Sequence, residues 1–187
     1  MGTDISLFAE RLDGLGWLPV PVEHFDLGRP YELFSVLYGS AIGLRNQKLE
    51  IPSVSKPRGA PEDVNPLLRE LIKENCECDD GYNCWGLSWL MVSEFLDFQW
   101  DEERVRYSGF VRPEYASLFH PDHDFPGKFP EGGKLYSEFE GGVPAWAVEV
   151  EWSESVRAFI GCYDEVSQLF TSLGPPDEIR IVYWFDS

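Results

Sequence analysis

Residues 146–186 read WAVEVEWSESVRAFIGCYDEVSQLFTSLGPPDEIRIVYWFD, and the fold class turns on this stretch. Trp146, Val148, Val150 and Trp152 alternate with Ala147, Glu149 and Glu151, the period of a strand with one buried face. Ser153 then stands as an N-cap for a helix in which Val156, Phe159, Ile160, Tyr163, Val166, Phe170 and Leu173 recur at helical spacing. Gly174 followed by Pro175-Pro176 stops that helix. Ile179 to Phe185 is apolar on both faces, which predicts a central strand. Strand, helix and strand make a βαβ-sized unit, with a right-handed crossover if the two strands run parallel in one sheet.

Upstream, Ile5, Phe8 and Leu12 sit three and four apart behind Thr3, which predicts a short helix ended by Gly14 and Gly16. Pro19 and Pro21 demote the apolar run Trp17 to Val22 to an edge or extended segment. Pro30 is placed as a first helical residue before the stripe Leu33, Phe34, Leu37 and Tyr38, and Gly39 ends that helix. Gln47 to Pro66 is loop-like, and Asn65-Pro66 starts a helix through Leu67, Leu68, Leu71 and Ile72. Ser88 to Phe98 reads as a largely buried helix; a strand at Trp89 to Met91 followed by one helical turn is the alternative. Val105 to Val111 reads as a strand, and residues 120–134, with three prolines and three glycines, as a long surface loop. The whole predicts a single α+β domain over residues 1–187: a mixed sheet, several short helices and the C-terminal strand-helix-strand unit.

Of the 187 residues, 33 are acidic and 15 basic, so the chain carries a formal charge of −18. At 43% hydrophobic and 15% aromatic it has ample core material, which excludes wholesale disorder. No apolar run approaches the roughly 18 residues needed to cross a bilayer, and the first residues lack a basic and then apolar leader pattern. The reading is a soluble, cytoplasmic protein with no membrane partner. So negative a surface repels phosphates, which argues against direct nucleic-acid binding.

Four cysteines are too few for a disulfide scaffold, and the chain is expected to hold free thiols in a reducing compartment. Cys76, Cys78 and Cys84 crowd into one acidic stretch. With His120 or His123 they form a weak candidate zinc set, because three thiolates and an imidazole close a tetrahedron. The expectation is no cofactor, with zinc as the exception to test. Seven of the 15 basic residues fall between positions 29 and 73. Among them Arg45, Lys56 and Arg58 are candidates for holding a phosphate-bearing small molecule such as a nucleotide signal, since guanidinium forks match phosphate geometry. No P-loop or G-x-G-x-x-G pattern accompanies them, which disfavours nucleotide hydrolysis.

Glu149-x-Glu151 places two carboxylates on one strand face, about 7 Å apart. Some ADP-ribosyltransferases use such a pair, so these are weak catalytic candidates; the ordinary reading is the solvent side of an amphipathic strand. Finally, acids crowd positions 74–103. Asp79, Asp80, Asp97, Asp101, Glu102 and Glu103, with Trp100 as an exposed anchor, form a candidate protein-binding face for a basic partner.

Short islands along most of the chain carry a resemblance. Tyr31-Glu32-Leu33-Phe34, Leu44-Arg45-Asn46, Pro57-Arg58-Gly59, Ser88-Trp89-Leu90, Phe98-Gln99-Trp100 and Arg180-Ile181-Val182-Tyr183-Trp184-Phe185-Asp186 together resemble an uncharacterised group of small proteins carried by tailed phages and by bacteria. Members often read histidine-serine-histidine before the serine-aromatic-leucine, where this chain has Trp85-Gly86-Leu87. The group has no established activity, and the resemblance implies only a setting, that of a phage or mobile-element accessory protein. The favoured expectation is an acidic binding protein acting stoichiometrically, an inhibitor or immunity-like protein that docks on a basic host or toxin protein. A nucleotide-signal binder and an ADP-ribosyltransferase-like enzyme are the alternatives.

Overall fold

The computed structural model describes residues 3–20, 29–42, 44, 48–76, 84–139 and 142–186. Strand β7 (Ile179–Asp186) runs antiparallel between β1 (Asp4–Asp13) and β4 (Cys84–Met91), and β2 (Gly16–Val20) pairs with β1 to give the order β2-β1-β7-β4. The doubly apolar sequence of β7 reflects burial on both faces. Ile179, Ile181, Tyr183 and Phe185 enter the main core with Leu33 and Phe34 of α1 (Tyr31–Tyr38), Phe95 of α3 (Val92–Asp97) and Phe170 of α6 (Tyr163–Ser172). Val182 and Trp184 turn the other way, under Leu68 and Ile72 of α2 (Pro66–Cys76), and Phe8 of β1 stacks on Trp184 at 4.8 Å.

A second, antiparallel sheet has the order β3-β5-β6, built from Lys48–Glu50, Arg104–Val111 and Val148–Ser155. The short helix α4 (Pro113–Ala116) follows β5, and α5 (Val156–Ile160) follows β6. Val105 of β5 and Val156 of α5 reach the main core shared with β7, so the two sheets meet there with α1, α3, α5 and α6, while α2 covers the other face of the four-stranded sheet. The α+β class holds. The expected mixed sheet is instead two antiparallel sheets, and the C-terminal helices carry the chain from β6 in one sheet to β7 in the other, with no parallel crossover. No helix among the described residues is long and apolar enough to cross a membrane.

Besides β3, which forms at the start of the stretch expected to be loop, three local readings differ from expectation. Residues 4–13 are a strand, because Ile5, Leu7 and Ala9 face the main core while Phe8 packs with Trp184, and eight register pairs with β7 outweigh the local helical spacing. The helix expected from Ser153 begins two residues later, capped by the Ser155 hydroxyl accepting from the Ala158 amide at 3.2 Å. It is then broken at Gly161, whose left-handed φ of 62° caps α5 before α6 restarts. At Ser88 to Phe98 the strand-then-turn alternative is the observed one, β4 followed by α3. The register of β4 slips between Trp85 and Ser88, at Gly86. There φ is 66° and a Cβ would fall 2.7 Å from the Phe185 ring, so only glycine fits.

An ion pair is buried in the four-stranded sheet. Arg180 is 2% exposed and faces Glu10, its register partner on β1, which is wholly buried. The guanidinium reaches Glu10 Oε2 at 2.6 Å through Nη2 and at 2.8 Å through Nε, and the Asn65 amide donates to Oε1 at 2.7 Å. Arg180 Nη1 also holds Asp63 Oδ1 at 2.6 Å, and the Trp17 ring lies 3.9 Å from the guanidinium. Glu10→Gln is expected to destabilise the fold by up to about 3–5 kcal/mol, since it leaves the buried Arg180 only the largely exposed Asp63 carboxylate. Replacing both residues (Glu10→Leu with Arg180→Met) recovers most of that loss, as read by urea unfolding with the midpoint shifted and the slope unchanged.

Candidate functional site

The expected acidic face centres on the turn between α3 and β5, and the side chain expected to anchor a partner there holds the turn down instead. Trp100 is 3% exposed; its indole donates to the Phe95 carbonyl at 2.7 Å and its ring packs on Phe95, Phe98 and Tyr163. Burial of so large a ring outweighs its value as an exposed contact, and it is not available as an anchor. The backbone around it is tied to α5: the Arg157 amide donates to the Trp100 carbonyl at 2.9 Å and the Val156 amide to that of Glu103 at 3.0 Å. Asp97, Asp101, Glu102 and Glu103 are therefore displayed outward and exposed.

Around this turn the chain adds further acids. Arg157 bridges Asp101 at 3.6 Å and Asp164 at 2.6 Å. Arg104 holds Asp124 at 2.7 Å and the Ser153 hydroxyl at 2.8 Å. Asp101, Asp124 and Glu154 line a cavity of about 450 Å³ that also takes in Phe125 and Trp152. The Tyr107 hydroxyl donates to Glu154, and its acidity is suppressed by burial first and by that carboxylate second. Two guanidiniums thus stand among six carboxylates (Asp101, Glu102, Glu103, Asp124, Glu154 and Asp164), and both are already engaged. Asp79 and Asp80 lie outside the described residues.

The candidate ligand loop is arranged differently. Arg58 forms a two-point ion pair with Glu94, at 2.9 and 2.5 Å, and its guanidinium lies 4.7 Å from the Trp89 ring centre. Glu94 in turn accepts from the Met91 amide at 2.8 Å, closing the first turn of α3. The fork that was a phosphate candidate is filled by the chain's own carboxylate. Lys56 is exposed, and Arg45 lies outside the described residues.

Cys76 and Cys84 are joined in a disulfide between the end of α2 and the start of β4, which corrects the expectation of free thiols. Disulfides persist in oxidising compartments, so these cysteines do not by themselves argue for a reducing one. In this state neither sulfur is a thiolate ligand, and Cys78 lies outside the described residues. His120 and His123 stack at 4.4 Å in the loop beyond α4, with the His123 carbonyl accepting from the Ser153 amide of β6. Among the described residues no group of three or more His, Cys, Asp or Glu is placed to hold a metal ion. Cys162 is half-buried, and burial raises its thiol pKa.

Glu149 and Glu151 are exposed on β6 as the alternation requires. Glu151 stands opposite Ser108 of β5 and lines a second concavity, of about 440 Å³, together with Glu50, Arg106 and Pro121. Sequence reading missed this grouping, because its members come from three strands and a loop. The local trace available was the polar alternation Arg104, Arg106, Ser108 within the strand expected there. No family model, curated protein or solved structure matches the chain.

Two outcomes are expected. Arg58 holds the Glu94 carboxyl below its ordinary value of 4.5, and Arg180 does the same for Asp63 below 3.8. A lowered folded-state pKa contributes stability that is complete above the unfolded value and is lost as pH falls through the folded one. Glu94→Gln should therefore flatten the fall of melting temperature below pH 4.5, with little effect on its slope near neutrality. Reducing the Cys76–Cys84 bridge frees a short closed loop worth roughly 2.5 kcal/mol of unfolded-state entropy. Calorimetry with and without reductant should show a melting temperature lower by about 5–10 °C for a chain of this size.

Proposed function

We propose that this protein acts stoichiometrically, docking its acidic end on a basic protein partner. The observation that carries the reading is the joint placement of the exposed turn Asp101-Glu102-Glu103 and the cavity edged by Asp101, Asp124 and Glu154. A field of one sign steers a cationic surface toward it and orients the encounter. The turn is held by Trp100 and by two backbone bonds to α5, so little ordering is needed on binding. The resemblance to small phage and bacterial proteins supplies the setting, an inhibitor or immunity-like protein working on a host or toxin protein in the cytoplasm.

The test is capture of the partner from host lysate, followed by titration of the purified pair. Binding should weaken steeply as salt rises. The triple variant Asp101→Asn/Glu102→Gln/Glu103→Gln should lose roughly three- to 150-fold in affinity, at about 0.2–1 kcal/mol per exposed pair. Affinity indifferent both to salt and to these three substitutions sinks the reading.

A further inference from the structure

The concavity on the second sheet is built unlike the acidic end: among the described residues its charged side chains have no ion-pair or side-chain hydrogen-bond partner. Glu50, Arg106, Ser108 and Glu151 project from one face of β3, β5 and β6, with Glu50 opposite Arg106 and Ser108 opposite Glu151 in register. Leu49, Tyr107 and Trp152 lie between them along the strands and also border the groove, while their side chains pack against buried apolar residues on the other face. Pro121 supplies a wall, anchored where its carbonyl accepts from the Ser153 hydroxyl at 2.7 Å. The open groove has a volume of about 440 Å³, in the range of small-molecule sites.

Arg106 is the unusual member. With carboxylates in large excess, the described arginines at 29, 58, 104, 112, 157 and 180 each hold at least one, and Arg69 holds two backbone carbonyls. Arg11 and Arg106 have no ion pair or hydrogen bond among the described residues, and of the two Arg106 lines a cavity. Its fork is thus open between two carboxylates, Glu50 and Glu151, that are likewise unpaired. All three are carried on paired strands, which hold them more rigidly than a loop would.

We infer that this groove binds a small zwitterion, a molecule bearing one carboxylate and one ammonium group, of which a free amino acid is the simplest. Arg106 takes the ligand carboxylate through two parallel N–H bonds, Ser108 adds a hydroxyl donor beside it, and Glu50 and Glu151 flank the ammonium. Glu50 and Glu151 beside the Arg106 guanidinium disfavour a dianionic phosphate and favour a ligand that brings its own cation. The site is separate from the docking turn and does not depend on it.

The experiment is a thermal-shift and calorimetric screen of the whole protein against the free L-amino acids, with acetate, inorganic phosphate and methylamine as controls. At least one amino acid should bind at a single site, tighter than any control. Arg106→Gln should weaken it at least tenfold, and Arg106→Lys should restore only part, because the two-point contact is lost. Glu50→Gln with Glu151→Gln should shift preference toward plain carboxylates. All three positions are surface residues, so circular dichroism should report an intact fold for each variant. The variant Asp101→Asn/Glu102→Gln/Glu103→Gln should bind the amino acid as the unaltered protein does, which separates this site from the partner surface. Failure of every amino acid to bind, tighter binding of phosphate, or binding unchanged in Arg106→Gln overturns the inference.

Discussion

The buried pair of Arg180 and Glu10 joins positions 170 residues apart, and the arrangement of the four-stranded sheet depends on it. Two charges removed from water are tolerated only if every lone pair and N–H is met, and here the Asn65 amide, Asp63 and the Trp17 ring complete the set. Such a pair contributes less to net stability than to choosing one register. A slip of one residue between β1 and β7 would turn Glu10 toward the main core and leave Arg180 unpaired beneath α2. The same contact pins the loop carrying Asp63 and Asn65, and with it the start of α2.

From that fixed sheet the rest of the molecule follows by packing. The odd-numbered side chains of β7 organise α1, α3 and α6, and the last of these meets Trp100 through Tyr163. Trp100 then locks the turn that shows Asp101, Glu102 and Glu103 to solvent. The acidic end is in this sense a consequence of an aromatic core. Carboxylates carry the charge, and a buried indole decides where they stand.

Cationic groups are distributed with equal consequence. Arg58, Arg104 and Arg157 are spent within the molecule, on Glu94, on Asp124 and on Asp101 with Asp164. They order loops and helix ends rather than offering themselves to a ligand. Arg106 stands apart on a strand face whose neighbours leave its fork open. The second sheet thus carries a mixed-charge groove across its face, and the turn leading into β5 carries an acidic cluster.

Much of the local structure could be read from the amino-acid order alone. The α+β class, the helices starting near Pro30 and Pro66, the strand over Val105 to Val111, the half-buried β6 and the central β7 were legible, because period and punctuation are local signals. The clustering of acids near Asp101 was legible for the same reason. Residues 4–13 were not, since Ile5, Phe8 and Leu12 satisfy a helical spacing and only the pairing partner 170 or more residues away makes them a strand. Nor could the chain order show that Trp100 is core, that Cys76 meets Cys84, or that Arg58 belongs to Glu94. Each of these depends on which distant group comes within a few ångströms, and hydrogen bonds, ion pairs and apolar contacts act over that distance without regard to separation along the chain.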